Sequence, residues 1–173
     1  MKSLTRPPRP AKRPGPKTLK LGRPAGFGTV TAYLSVEGGV AALEFYVRAF
    51  GAKELMRQLT PDGKLLHGRL QIGDSTVMVS DVFPGAATAS PRQLGRTTVT
   101  LHIYTDDIDA LWARALAAGA RVVMPLADMF WGERYGQLVD PFGHHWSIAM
   151  PVAMTESQKR AKQAEAMSRF SPA

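Results

Sequence analysis

The chain repeats itself, and that repetition restricts its fold more than any other feature. At an offset of 68 residues Ala42-Leu43 matches Ala110-Leu111, Gly51-Ala52 matches Gly119-Ala120, Met56 matches Met124, Gly68 matches Gly136 and Leu70 matches Leu138. The same order of apolar patterns accompanies these identities: a strand, a helix, then three strands. A duplicated unit of this length buries its apolar faces best against its own copy, so two similar modules sharing one core are expected.

Each copy reads locally as βαβββ. In the first, residues 29–36 alternate as a strand, and Val40, Leu43, Val47 and Phe50 recur at helical spacing before Gly51 stops the helix. Strands follow at 52–59, 65–72 and 76–81, separated by the turns Pro61-Asp62-Gly63 and Gly73-Asp74-Ser75. Residues 84–96, rich in Gly, Ala, Ser and Pro, read as a linker. The second copy has a strand at 97–105 and a helix capped by Asp106 or Asp107, with Ile108, Leu111, Ala115 and Leu116 as its apolar stripe. A strand at 121–125 leads to the hairpin FWGERYGQLVDPFGHHW (130–146), in which Asp140-Pro141-Phe142-Gly143 makes the turn. Thr155 opens a charged C-terminal helix, docked weakly through Met154, Ala161, Ala164 and Met167. The predicted fold class is α+β: two tandem βαβββ modules forming curled mixed sheets around a cleft, plus a C-terminal helix. The expected divisions are 1–27 (tail), 28–83 (first module), 84–96 (linker), 97–150 (second module) and 151–173 (helical tail).

Charge has to be located before it is interpreted. The chain carries 22 Lys and Arg against 14 Asp and Glu, a net charge of +8. Lys2, Arg6, Arg9, Lys12, Arg13, Lys17, Lys20 and Arg23 lie in the first 25 residues with no acidic partner, so the rest is neutral. That segment is also proline-rich and is expected to be disordered. No aromatic residue interleaves its charges to stack on bases, so nucleic acid is not the expected partner. Without cysteine there is no disulfide, thiolate nucleophile or Cys-type zinc site. No apolar run reaches the roughly 20 residues that span a bilayer, and no signal-peptide core is evident, so a cytoplasmic protein without a membrane partner is expected.

Paired βαβββ modules with a GHHW-type last hairpin resemble the vicinal oxygen chelate superfamily, the fold of glyoxalase I, extradiol dioxygenases and the bleomycin- and fosfomycin-resistance proteins. The likeness is sharper to glyoxalase-like proteins labelled 3-demethylubiquinone methyltransferase-like. It is carried by ALEFYVRAFGAKEL (42–55), PDGKLLHGRLQIGDS (61–75), DDIDALWARALAAGA (106–120) and the 130–146 hairpin. The resemblance implies a cleft between modules, frequent homodimers and no single reaction. A methyltransferase activity is not expected, because no Gly-rich cofactor loop follows a strand.

In the metalloenzymes of that superfamily His or Gln on a module's first strand and Glu on its last hold a divalent ion. Here those positions fall at about Thr31, at Val99 or Thr100, and near Met78 and Ser147. None is a usual ligand. His102 lies two residues further on, and a set of His67, His102 and Glu133 is the only substitute the sequence offers; no metal or other cofactor is expected. Strand alternation instead puts His67, Arg69, His102, Tyr104 and Tyr135 on polar faces, with Trp131 and Trp146 near them. Aromatic walls with a few convergent polar groups suit a small molecule, and Arg69 suits a carboxylate or phosphonate. The expected function is metal-free binding of a small, partly aromatic or anionic molecule in the inter-module cleft. The alternative is a divalent-metal-dependent lyase, isomerase or dioxygenase. His144, His145 and Asp140 also permit a base with an orienting carboxylate, but an aspartate opening a turn is expected to cap its own backbone.

Overall fold

The computed structural model describes residues 22–168. The first module runs β1 (Ala32–Val36), α1 (Gly39–Phe50), β2 (Lys53–Leu59), β3 (Leu65–Ile72) and β4 (Ser75–Asp81). The short α2 (Pro91–Leu94) lies in the connection. The second runs β5 (Thr100–Tyr104), α3 (Ile108–Ala118), β6 (Arg121–Asp128), β7 (Glu133–Val139) and β8 (His145–Pro151), followed by α4 (Glu156–Ser168). The strand orders are β1-β4-β3-β2 and β5-β8-β7-β6, with the first strand of each module parallel to the last. The two α+β modules are thus one topology twice, as the repeat requires.

Several sequence expectations are refined by packing. The connection at 84–96 contains α2, which starts with a capping box: Gln93 N–H donates to Ser90 Oγ while Ser90 N–H donates to Gln93 Oε1. Asp107, not Asp106, caps α3, accepting from Ala110 N–H at 3.0 Å. Helix α1 has no cap of its own. Asp81, at the end of β4, supplies it by accepting from Gly38 and Gly39 N–H at 2.8 and 2.9 Å. The buried face of α1 is Ala42, Leu43, Phe45, Tyr46, Ala49 and Phe50, while Val47 is exposed. Leu116, expected on the stripe of α3, is also exposed, and Leu65 rather than Leu66 enters the core because the β2–β3 register shifts between Gln58 and Leu59. On α4 no residue is buried. Ala161, Ala164 and Met167 face solvent, and the helix is tethered by Lys162, whose Nζ donates to the Asp128 carbonyl at 3.0 Å. Residues 1–21 of the basic tail lie outside the described residues. Its last residues belong to the first module: Phe27 lies under the Arg69 guanidinium, and Thr76 donates to the Gly26 carbonyl.

The modules meet through their helices and the 140–146 hairpin. Phe45, Tyr46 and Phe50 of α1 pack on Phe142 and Trp146 of the second module, with ring centroids 4.6–6.3 Å apart across the four contacts between them. At the centre is the buried Asp140 carboxylate. Its Oδ1 accepts from Phe142 and His144 N–H, each at 2.9 Å, and its Oδ2 from the Tyr46 hydroxyl at 2.7 Å and the Trp146 indole at 2.9 Å. Four donors use up what a carboxylate can accept, which is what allows an anion to be buried here. The expectation that Asp140 caps its own turn therefore holds, with a bond across the modules added. Burial, and then the charge of Asp140, raise the Tyr46 hydroxyl well above its ordinary pKa.

Gly68 and Gly136, matched in the repeat, serve the same purpose. A Cβ on Gly68 would stand 2.9 Å from Leu43 Cδ2, and one on Gly136 2.7 Å from Trp112 Cη2, so each lets its helix approach its sheet.

Tyr46→Phe, which strips one charged hydrogen bond from the buried Asp140, is expected to destabilise the protein by about 1.5–3 kcal/mol. Gly136→Ala, which overpacks the α3 contact, should cost about 1–3 kcal/mol. Urea titration checks both, and a Tyr46→Phe value near zero would mean that the Asp140 bond does not join the modules.

Candidate functional site

The polar face of the second sheet is built from three strands in register. Tyr104 of β5, Ala149 of β8 and Tyr135 of β7 form one row; His102, Ser147 and Gln137 form the next. Ala149 is fully buried between the two tyrosines. His102 Nδ1 and Ser147 Oγ share a hydrogen bond of 2.7 Å, and the imidazole stands edge-on to Tyr104 (4.5 Å) and nearly parallel to Tyr135 (6.1 Å). Gln137 Nε2 donates to the Tyr135 hydroxyl at 2.7 Å.

Glu133 organises the open end of this face. Its Oε1 accepts from the Tyr104 hydroxyl and its Oε2 from the Trp131 indole, both at 2.9 Å. Trp131 in turn meets Tyr135 edge-on at 5.6 Å. Tyr104 is 63% exposed and Trp131 46%, so the rings line an accessible surface. The Glu133 hydrogen bond, and then its charge, raise the pKa of the Tyr104 hydroxyl.

His67 and Arg69 stand elsewhere, on the polar face of the first sheet. His67 Nδ1 is hydrogen-bonded to the Tyr33 hydroxyl at 3.0 Å. Arg69 lies 5.3 Å from the centroid of Phe27, its Nε is buried without a partner, and among the described residues it forms no ion pair.

The seven residues singled out from the sequence thus divide into three groups. His102, Tyr104, Trp131 and Tyr135 assemble. His67 and Arg69 form a second group, joined to the first by no hydrogen bond or ring contact among the described residues. Trp146 stands apart: only 2% exposed, it packs in the core with its indole held by Asp140, because alternation along β8 turns it to the helix side. It reaches only the inner wall of a groove of about 640 Å³ that also runs past Leu101–Thr105 and Arg114. His102 and Tyr104 border that groove as well, so the ring cluster adjoins it, with Trp131 and Tyr135 on the open face beyond.

The substitute metal set is also corrected. His67, His102 and Glu133 do not meet, and the described residues contain no cluster of three His, Cys, Asp or Glu. Ser147 stands where the resemblance expects a glutamate, and its hydroxyl is bonded to His102. One imidazole and a hydroxyl are a poor donor set for a divalent ion. Three residues of these faces escaped sequence reasoning: Tyr33, Ser147 as the partner of His102, and Phe27. Alternation in the first strand was the available signal for Tyr33. Phe27 was hidden by its position at the end of a basic tail.

His144 is half-buried and donates from Nε2 to the Ser35 carbonyl of β1 at 3.3 Å. Burial lowers its pKa, against the opposing pull of Asp140 and the Ser35 carbonyl.

Two tandem βαβββ modules with edge strands β1 and β5 define the class of protein, and comparison gives the family. The chain belongs to the glyoxalase/bleomycin resistance protein/dioxygenase superfamily, whose sequence model matches residues 29–148, spanning both modules. An uncharacterised protein of Mycobacterium tuberculosis is 48% identical over 126 residues, covering 71% of this chain and 74% of that protein. TioX from Micromonospora sp. ML1 is a similar solved structure, with a TM-score of 0.57 and 31% identity over 74% of this chain and all of that one. A PhnB protein from Bacillus cereus, at 20% identity, shares the fold with a TM-score of 0.57 over 71% of this chain and 99% of that one. Among the described residues no helix is long and apolar enough to cross a membrane.

Protonation of His144 should weaken the fold. Because the folded pKa lies below the ordinary value of 6.5, the unfolded chain binds the proton first as pH falls. His144 therefore contributes stability that is full above that value and lost as pH falls towards the folded pKa. Melting temperatures at pH 7.5 and 5.5 should differ more in the wild type than in His144→Gln; equal differences would exclude His144 as the source.

Proposed function

We propose that the protein binds a small molecule with a planar aromatic part on the polar face of its second sheet, without a catalytic metal. The observation that carries this reading is the ring cluster of His102, Tyr104, Trp131 and Tyr135, exposed yet locked by Ser147, Glu133 and Gln137. Locked aromatic rings offer stacking area at little cost in side-chain entropy. Arg69, with its unpartnered buried Nε above Phe27, supplies the place for an anionic end of the ligand. The faces are open rather than enclosed, and exposed Tyr33, Tyr104 and Trp131 are large rings for a monomer to leave in water. A second copy of the chain laid across them completes the site, so the working form is a homodimer.

The test is a calorimetric titration of the chelator-treated protein with 2-naphthoate and its uncharged counterpart naphthalene-2-methanol. Binding of either that survives chelation and weakens about fivefold in Trp131→Ala and Tyr135→Ala is expected, the loss of stacking being worth roughly 1 kcal/mol. Binding that appears only when a divalent ion is restored would overturn the metal-free reading in favour of a metal-dependent lyase, isomerase or dioxygenase.

A further inference from the structure

Glu133 is a carboxylate with two hydrogen-bond donors and, among the described residues, no counter-cation. It forms no ion pair among the described residues. Two lysines of α4 reach the loop beside it, yet Lys159 is paired with Glu156 at 3.0 Å and Lys162 donates to the Asp128 carbonyl at 3.0 Å. Arg134, the next residue along β7, turns to the other face and pairs with Asp109 at 2.9 Å and Asp128 at 3.7 Å. Among the described residues the negative charge of Glu133 therefore has no paired cation.

What surrounds it is aromatic. Trp131 and Tyr135 meet at 76°, and His102 and Tyr104 at 73°, so ring faces bound the same region from more than one direction. The face of an aromatic ring carries negative potential. When Tyr104 O–H and Trp131 N–H donate to an anion, electron density shifts into both rings and strengthens that potential. Each donor bonds one oxygen of Glu133, so the carboxylate spends hydrogen-bonding capacity on its own walls while its charge remains available.

We propose that this face receives an organic cation of the alkylated ammonium type, with Trp131, Tyr104, Tyr135 and His102 as walls and Glu133 as the counter-charge. The inference rests on the reading that the second-sheet face binds a small molecule, and it adds which group of that molecule sits there. An alkylated ammonium asks for ring faces and a nearby negative charge, and makes no demand on acceptor lone pairs that are already engaged. An anion at the same place would face an unpaired carboxylate. A divalent ion would require several oxygens, and this cluster supplies one carboxylate. Arg69, on the other sheet, is then left for an anionic group of the same ligand, which divides the two charges between the two modules.

The test follows the indole N–H resonance of Trp131, assigned among the three tryptophans with Trp131→Phe, during titration of the full chain. The probes are choline, its uncharged isostere 3,3-dimethylbutan-1-ol, and 2-naphthoate. Choline is expected to shift the resonance and to bind at least about fivefold more tightly than the isostere, the scale of a partly desolvated cation–π contact. Glu133→Gln should remove that advantage. Equal binding of choline and the isostere to the wild type would overturn the proposal without recourse to any variant. So would an advantage that persists in a folded Glu133→Gln protein. A shift with 2-naphthoate but none with choline would leave the small-molecule reading standing and sink the cationic one. No shift with any of the three would sink both.

Discussion

One buried carboxylate does more than any other group to hold the two halves in register. Asp140 shapes the hairpin through two backbone amides, orients Trp146 through its indole and reaches into the other module through Tyr46. Among the described residues no cation pairs with it, so the four donors must all be in place for the charge to be buried at tolerable cost. That requirement couples local and long-range structure. The turn cannot close correctly unless α1 has docked, and α1 docks with Phe45, Tyr46 and Phe50 against the residues that the turn positions. The DPFGHHW segment, which reads at first as chemistry, is in large part the joint between modules.

The repeat explains why the functional faces could differ while the fold stayed the same. In each module alternate residues of the sheet pack against a helix, and there the two copies keep matching solutions. Gly68 admits Leu43, and Gly136 admits Trp112. The opposite faces carry no such restriction. The first presents His67 bonded to Tyr33 and Arg69 over Phe27; the second presents His102 bonded to Ser147, with Glu133 between Tyr104 and Trp131. Packing limits one side of the pleat and leaves the other free to differ.

Membership of the superfamily brings with it an expectation of metal chemistry that the donor set here does not meet. The strand positions are retained, but Ser147 faces His102 where a glutamate would complete a ligand pair. The chain's own carboxylate on that face, Glu133, is displaced to the rim and occupied with a phenol and an indole. That face therefore presents aromatic rings and a carboxylate hydrogen-bonded to two of them.

The sequence by itself determined the modules. Turn residues, strand alternation and the 68-residue repeat are local or periodic signals, and they placed nearly every strand and both long helices of the repeat within a few residues. Alternation also sorted His67, Arg69, His102, Tyr104 and Tyr135 onto polar faces, because side-chain direction in a strand depends only on parity. Contacts between distant segments lay beyond that reach. Nothing in the local pattern says that Tyr46 bonds Asp140, that Asp81 caps a helix begun at Gly39, or that Phe27 leaves a basic tail to lie under Arg69. Nor could parity separate His67 from His102, or tell the exposed Trp131 from the buried Trp146. Those depend on which sheet and which side of it each strand joins, and only the packed tertiary structure decides that.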